Sequence, residues 1–196
     1  MKHRGRPYDA LIGRAAEQHG YLAVDDAREL GVSPAYMRKL AATGKLEHRW
    51  RGVYRVRAIP PRAGDELYEA TMWAGTGASV AGESALGLWG LADVNPRHVE
   101  VALAGGRPAR RTEPNPRVRV VRERIEQEQI EEVDNIPVVT PRVAIEQALK
   151  KGTDASLVRQ AIKSARRREL IGETTEAKLL VALDVRERTG KVVLVP

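Results

Sequence analysis

The stretch Ala27-Arg28-Glu29-Leu30-Gly31-Val32-Ser33-Pro34-Ala35-Tyr36-Met37-Arg38-Lys39-Leu40 decides how the chain is read. Ser33 offers a capping hydroxyl, and Pro34 has the fixed φ that suits the first position of a helix. A helix starting there turns Met37, Leu40 and Ala41 inward and stops at Gly44. Upstream, Asp25 is expected to cap a helix of barely two turns that runs to Leu30 and ends at Gly31. Two short helices joined by Gly31-Val32-Ser33 form a helix-turn-helix. Before them, Leu11, Ile12, Ala15, Ala16 and His19 fall at helical spacing, and Gly20 can end that first helix in the left-handed conformation. After them, Leu46 to Val56 alternates apolar and polar residues around Arg51-Gly52 and reads as a hairpin. That hairpin is the wing of a winged helix.

In such a fold the third helix enters the major groove and the wing lies against phosphate. Tyr36, Arg38 and Lys39 are then the groove-facing residues. Ser33, with the free N–H groups at the helix start, is placed for a phosphate, and Arg49 and Arg51 flank the wing tip as phosphate or minor-groove contacts. The competing reading makes Arg38, Lys39, Arg49 and Arg51 ordinary solvated surface and gives the winged helix to protein contact. The leading Lys2-His3-Arg4-Gly5-Arg6-Pro7 reads either as a basic arm for a minor groove or as a frayed terminus.

The charge distribution agrees with a DNA-binding N-terminal third. The 196 residues carry 33 Lys and Arg against 26 Asp and Glu, a net of +7. Residues 1 to 57 hold 12 of the basic and 6 of the acidic side chains, a net of +6, so the rest is nearly neutral. A basic balance favours anionic partners. Ala58-Ile59-Pro60-Pro61-Arg62-Ala63-Gly64 reads as a short, stiff linker. The expected organisation is therefore a winged helix over 1–57, a linker over 58–64 and a C-terminal domain over 65–196. An apolar content of 42% suffices for a real core. Zero cysteines exclude disulfides and thiol chemistry, and His3, His19, His48 and His98 are too scattered to form a local metal site. No run of 18 apolar residues and no signal-peptide pattern is present, which sets the expectation of a soluble, cytoplasmic protein without a membrane partner, metal or cofactor.

The remainder reads as mixed α/β, which makes the whole chain α+β and mainly helical. Asp65 to Trp73 and Val80 to Leu91 suggest two helices, and Gly75-Thr76-Gly77 with Gly82 only superficially resembles a phosphate loop, lacking its lysine. That segment is expected to be a tight helix connection. His98 to Leu103 and Arg117 to Val121 alternate with period two and suggest a sheet, with Val99, Val101, Leu103, Val118 and Val120 inward. The basic loop Gly105-Gly106-Arg107-Pro108-Ala109-Arg110-Arg111 between them is either a second phosphate contact or solvated. Thr140-Pro141 opens a helix to Lys151. The next helix turns Leu157, Ala161, Ile162 and Ala165 inward and displays Arg159, Lys163, Arg166 and Arg167 as a basic stripe. The stripe fits DNA flanks, an acidic toxin surface, or plain solvation. Thr174 to Arg188 reads as a largely buried final helix, and Val192 to Val195 as a further strand.

The run Gly20 to Ala23, Ala27 to Ser33, Leu40, Gly44-Lys45-Leu46 and Arg51 to Tyr54 resembles the N-terminal winged helix of the AbiEi family of antitoxins. Ser84 to Leu91, the strand around Val99-Glu100-Val101, and Ile136 to Pro141 followed by a helix are similar to the C-terminal part of that family. Together these span about residues 8 to 150. The resemblance implies an antitoxin that counters a nucleotidyltransferase-like toxin and represses its own operon through inverted repeats in double-stranded DNA. It also implies that the C-terminal domain carries the antitoxic activity. The third helix departs from the expected pattern at Ala42-Thr43, which is less basic, so no operator sequence carries over. Two other readings stay open: a winged-helix repressor without a toxin, and a module that binds the toxin directly and hardly uses DNA.

An enzyme is not expected. Glu176-Ala177-Lys178 matches the last element of a magnesium nuclease motif, which needs a strand and a second acidic strand, whereas this run falls on a helix. No order of Ser, His and Asp suggests a catalytic triad.

Overall fold

The computed structural model describes residues 7–104 and 114–194. Among them the chain forms an α+β fold with eight α-helices and two sheets. The expected arm at 2–6 and the basic loop at 105–111 lie outside the described residues.

The N-terminal unit runs α1 (Pro7–Glu17), β1 (Tyr21–Ala23), α2 (Val24–Glu29), α3 (Pro34–Ala42), β2 (Leu46–Trp50) and β3 (Val53–Val56). Its antiparallel sheet has the order β1-β3-β2, and Arg51-Gly52 turns the hairpin as the sequence predicts. This is the winged-helix arrangement. Leu11, Leu22, Met37, Leu40, Leu46 and Val56 are buried in one cluster beneath the three helices. Ser33 caps α3 by accepting a hydrogen bond from the Tyr36 N–H at 3.2 Å. The cap expected of Asp25 belongs to Asp26, whose carboxylate reaches back to the Ala23 N–H at 2.7 Å, while Asp25 is exposed beside Arg28. His19 is no part of α1: the helix ends at Glu17 and the chain turns through left-handed His19 (φ 54°) and Gly20 (φ 82°).

The C-terminal unit is a five-stranded mixed sheet of order β6-β5-β4-β8-β7. Its strands are β4 (Ala78–Val80), β5 (Val99–Ala104), β6 (Val118–Ile125), β7 (Ile130–Val133) and β8 (Ile136–Val139). Helix α4 (Asp65–Ala74) covers one face, packing Ala70, Trp73 and Ala74 against Val101 and Leu103. Alternate residues of a strand point to opposite faces, so Glu100 and Ala102 turn the other way. That second face lies under α5 (Gly82–Leu88), α6 (Pro141–Lys151), α7 (Ala155–Arg167) and α8 (Glu173–Thr189).

Three expectations need correction here, and one hairpin is new. Val80, read as the start of a helix, belongs with Ala78 and Ser79 to a central strand, so Gly75-Thr76-Gly77 joins a helix to a strand and not two helices. Strand β7 and its hairpin to β8 were not visible in the sequence; left-handed Asp134 (φ 50°) and Asn135 (φ 61°) make the turn. Helix α8 is buried on one face only: Leu179 and Leu183 are inside, whereas Val181 is 54% exposed. Residues 191–194 form no strand.

Candidate nucleic-acid interface

Burial of Met37 and Leu40 fixes which side of α3 faces out, and Ala35, Arg38 and Lys39 stand exposed there. Among the described residues neither the Arg38 guanidinium nor the Lys39 ammonium has a hydrogen-bond or ion-pair partner. Tyr36 is half-buried and packs on the N-terminal core. Ser33 is exposed at the start of the helix; its oxygen accepts from Tyr36, and its hydroxyl proton is left to donate. Arg51 is exposed at the wing turn. Next to this face, the Lys45 ammonium lies 4.9 Å from the centre of the Tyr8 ring, a cation–π contact that ties α1 to the turn before the wing.

Arg49, expected as a phosphate or minor-groove contact, is engaged within the protein. Its guanidinium donates to Glu69 of α4 at 2.9 and 3.1 Å and to Glu47 at 2.8 Å. Glu69 also accepts from the Tyr21 hydroxyl and from the Trp50 indole N–H, both at 2.8 Å. Three residues of the winged helix thus converge on one carboxylate of the C-terminal unit. Burial pushes the Glu69 carboxyl up, but the donors from Arg49, Tyr21 and Trp50 outweigh it and hold the group below the usual glutamate value. Conversely, burial and the Glu69 carboxylate push the Tyr21 hydroxyl well up. With Nε, Nη1 and Nη2 all donating to carboxylates, the charge of this guanidinium is offset within the protein and fewer of its donors are left for a phosphate.

A second contact joins the units around His19, which is 2% exposed. Its Nε2 lies 2.7 Å from the Asp134 carbonyl oxygen. A carbonyl only accepts, so Nε2 carries the proton. Its Nδ1 faces Asp65 Oδ1 and Arg62 Nε, each at 3.1 Å, and the ring stacks on Tyr68 with centroids 5.0 Å apart. Arg55 also donates to Asp65. Gly64, in the segment read as a linker, passes so close that a Cβ there would sit 2.7 Å from Ile136 Cδ1, and its φ of 84° suits glycine alone. Tyr21 and Val53 of the winged helix are buried in the same apolar cluster as Tyr68 and Val138. The segment 58–64 therefore joins units that share a packed, hydrogen-bonded boundary. Neither Glu69 nor His19 was singled out for this role by sequence, because their partners lie 19 to 115 residues away.

The basic stripe on α7 divides in two. Arg159 is paired with Asp184 and Glu187 of α8 at 3.3 and 2.8 Å, and Arg166 approaches Glu176 at 3.5 Å. Lys163 and Arg167 are exposed, have no partner among the described residues, and line one open cleft with Asp93 and Gln160. Among the described residues no group of three or more His, Asp or Glu is placed to hold a metal ion. No described helix is long and apolar enough to cross a membrane.

The chain is thus a winged helix packed on a mixed α/β unit. A solved structure with a similar fold is that of the Rv2827c protein from Mycobacterium tuberculosis, 18% identical, with a TM-score of 0.51 over 92% of this chain and 73% of that one. No family model matches the chain, and no curated protein matches it.

Proposed function

We propose that this protein is a cytoplasmic, non-catalytic antitoxin of the AbiEi kind. Its winged helix binds double-stranded operator DNA with inverted repeats and represses its own operon, while its C-terminal unit opposes a nucleotidyltransferase-like toxin. The observation that carries the DNA half is the outward face of α3, where Arg38 and Lys39 are exposed with no partner among the described residues. Long cations at that position reach base edges and phosphates when the helix lies in a major groove. Gel shifts of the full chain on the DNA upstream of its own gene test this reading. Binding should fall steeply between about 50 and 200 mM salt as counterions re-associate. The toxin half rests on the family resemblance, and co-expression with a neighbouring nucleotidyltransferase reading frame tests it. Repression without growth rescue leaves a plain repressor; growth rescue by a wild-type chain that shifts no operator DNA leaves a direct toxin-binding module.

A further inference from the structure

Helix α6 ends over the outer part of the sheet, where Gln147 and Lys151 meet Glu100 of β5 and Arg119, Val121 and Arg122 of β6 around a cleft of about 360 Å³. Glu100 is 3% exposed, and a carboxylate so deeply buried needs partners. It has them in the Lys151 ammonium at 3.0 Å and the Glu83 N–H at 2.9 Å. Gly82 allows this approach, since a Cβ there would collide with the Glu100 carboxylate. Glu83 is in turn met by Lys151 at 3.1 Å and by the Thr153 hydroxyl at 2.7 Å. Lys150 is paired with Glu123. Each of these carboxylates thus already has a donor within the protein, with Lys151 shared between Glu83 and Glu100.

Three donor groups remain. Gln147 is 5% exposed, and its Oε1 accepts from the Gly82 N–H at 2.8 Å, which fixes the orientation of the amide. Its Nε2 is then a buried donor with no acceptor. A buried N–H group without a partner destabilises the fold unless something else supplies an acceptor. Arg119 and Arg122 are exposed on the cleft wall and have no partner among the described residues. The uncommitted side-chain groups of this cleft only donate, and two of them carry positive charge.

From this arrangement we propose that the cleft binds a small phosphate ester. An oxyanion supplies the acceptors that Gln147 Nε2 and the two guanidiniums lack, and the planar guanidinium fork fits phosphate oxygens in pairs. The concave shape and a volume at the low end of small-molecule sites suit a sugar phosphate or a mononucleotide, with Val121 as apolar wall, and not a nucleic-acid strand. This site stands apart from α3 and does not rest on the proposed DNA binding.

Thermal unfolding of the full chain with ribose 5-phosphate, inorganic phosphate and ribose tests the proposal. Ribose 5-phosphate at ten times its dissociation constant should raise Tm by about 3 to 6 °C, and ribose should not. Arg119→Ala/Arg122→Ala, a surface change that leaves the core intact, should weaken binding at least about tenfold, as should Gln147→Leu, whereas Arg38→Ala/Lys39→Ala should leave it unchanged. Binding of inorganic phosphate with the same variant dependence supports an oxyanion site that does not require the sugar. Absence of any shift at millimolar ribose 5-phosphate overturns the proposal. So does binding that survives in the double arginine variant or disappears with Arg38 and Lys39.

Discussion

Arg38 and Arg49 lie in the same basic third of the chain and carry the same charge, yet the fold uses them in opposite ways. Arg38 projects from α3 into solvent with no partner among the described residues, while Arg49 is folded back onto Glu47 and Glu69. Local net charge therefore overstates the surface available to an anion. What a partner meets is the cations left after internal pairing, which in this winged helix include Arg38 and Lys39 on α3 and leave out Arg49 of the wing. The same division recurs in the C-terminal unit, where α8 neutralises Arg159 and leaves Lys163 open.

Breaking the anchored side of the comparison should give the largest effect. Glu69→Ala removes the common acceptor of Tyr21, Arg49 and Trp50 and leaves a guanidinium without its main partner at the boundary. A loss of about 2 to 4 kcal/mol in unfolding free energy is expected by chemical denaturation. The pH dependence follows from the same contact. The folded Glu69 carboxyl titrates below its ordinary value of 4.5, so its stabilisation is fully present above that value and is lost as pH falls through the lower folded one. Wild type should therefore lose part of its advantage over Glu69→Gln as the pH is lowered below about 4. A constant difference between the two proteins across that range would mean that the Glu69 charge contributes nothing at this boundary.

On the open side, Arg38→Ala or Lys39→Ala should cost about 1 to 3 kcal/mol in operator affinity where the side chain reads a base, and little in stability. Arg49→Ala should show the reverse: lower stability, with the salt dependence of DNA binding nearly unchanged. Fluorescence anisotropy on operator and scrambled duplexes, alongside denaturation of each variant, separates the two patterns. Equal affinity losses for Arg38→Ala and Arg49→Ala, with equal changes in salt slope, would erase the distinction.

The elements that were legible in the sequence are those specified by neighbours along the chain. Ser33-Pro34 opens α3, and Arg51-Gly52 turns the wing, through contacts within a few residues. Strand β4 was hidden because it is central in the sheet and buried throughout, so it lacks the alternation that marks a half-exposed strand. His19 matched the period of α1, but left-handed backbone carries it out of the helix and across to Asp134. The outward face of α3 follows directly from the spacing of Met37 and Leu40. The commitment of Arg49 to Glu69 does not, since nothing local links positions on two elements 20 residues apart.

Ser33→Ala should have a smaller effect, about 1 kcal/mol of stability, because it removes one capping acceptor at an exposed helix start. The unfolding midpoint reports it directly. If the hydroxyl also touches phosphate, operator affinity falls by more than the fraction of unfolded protein explains.

The smallest expected change tests whether pairing also decides which cations of the C-terminal unit meet a partner. The Arg159 side chain is 39% exposed where it bridges Asp184 and Glu187, so Arg159→Ala should cost no more than about 1 kcal/mol. Lys163 has no such bridge among the described residues, and Lys163→Glu should leave stability within about 0.5 kcal/mol of wild type. If the open half of the stripe contacts an acidic toxin surface, Lys163→Glu should slow association with the toxin, most clearly at low salt, while Arg159→Ala should not. Stopped-flow association at two ionic strengths reads this difference. Equal slowing by both variants would show that the ion pairs on α8 yield to the partner, and that pairing within the free protein does not define its contact surface.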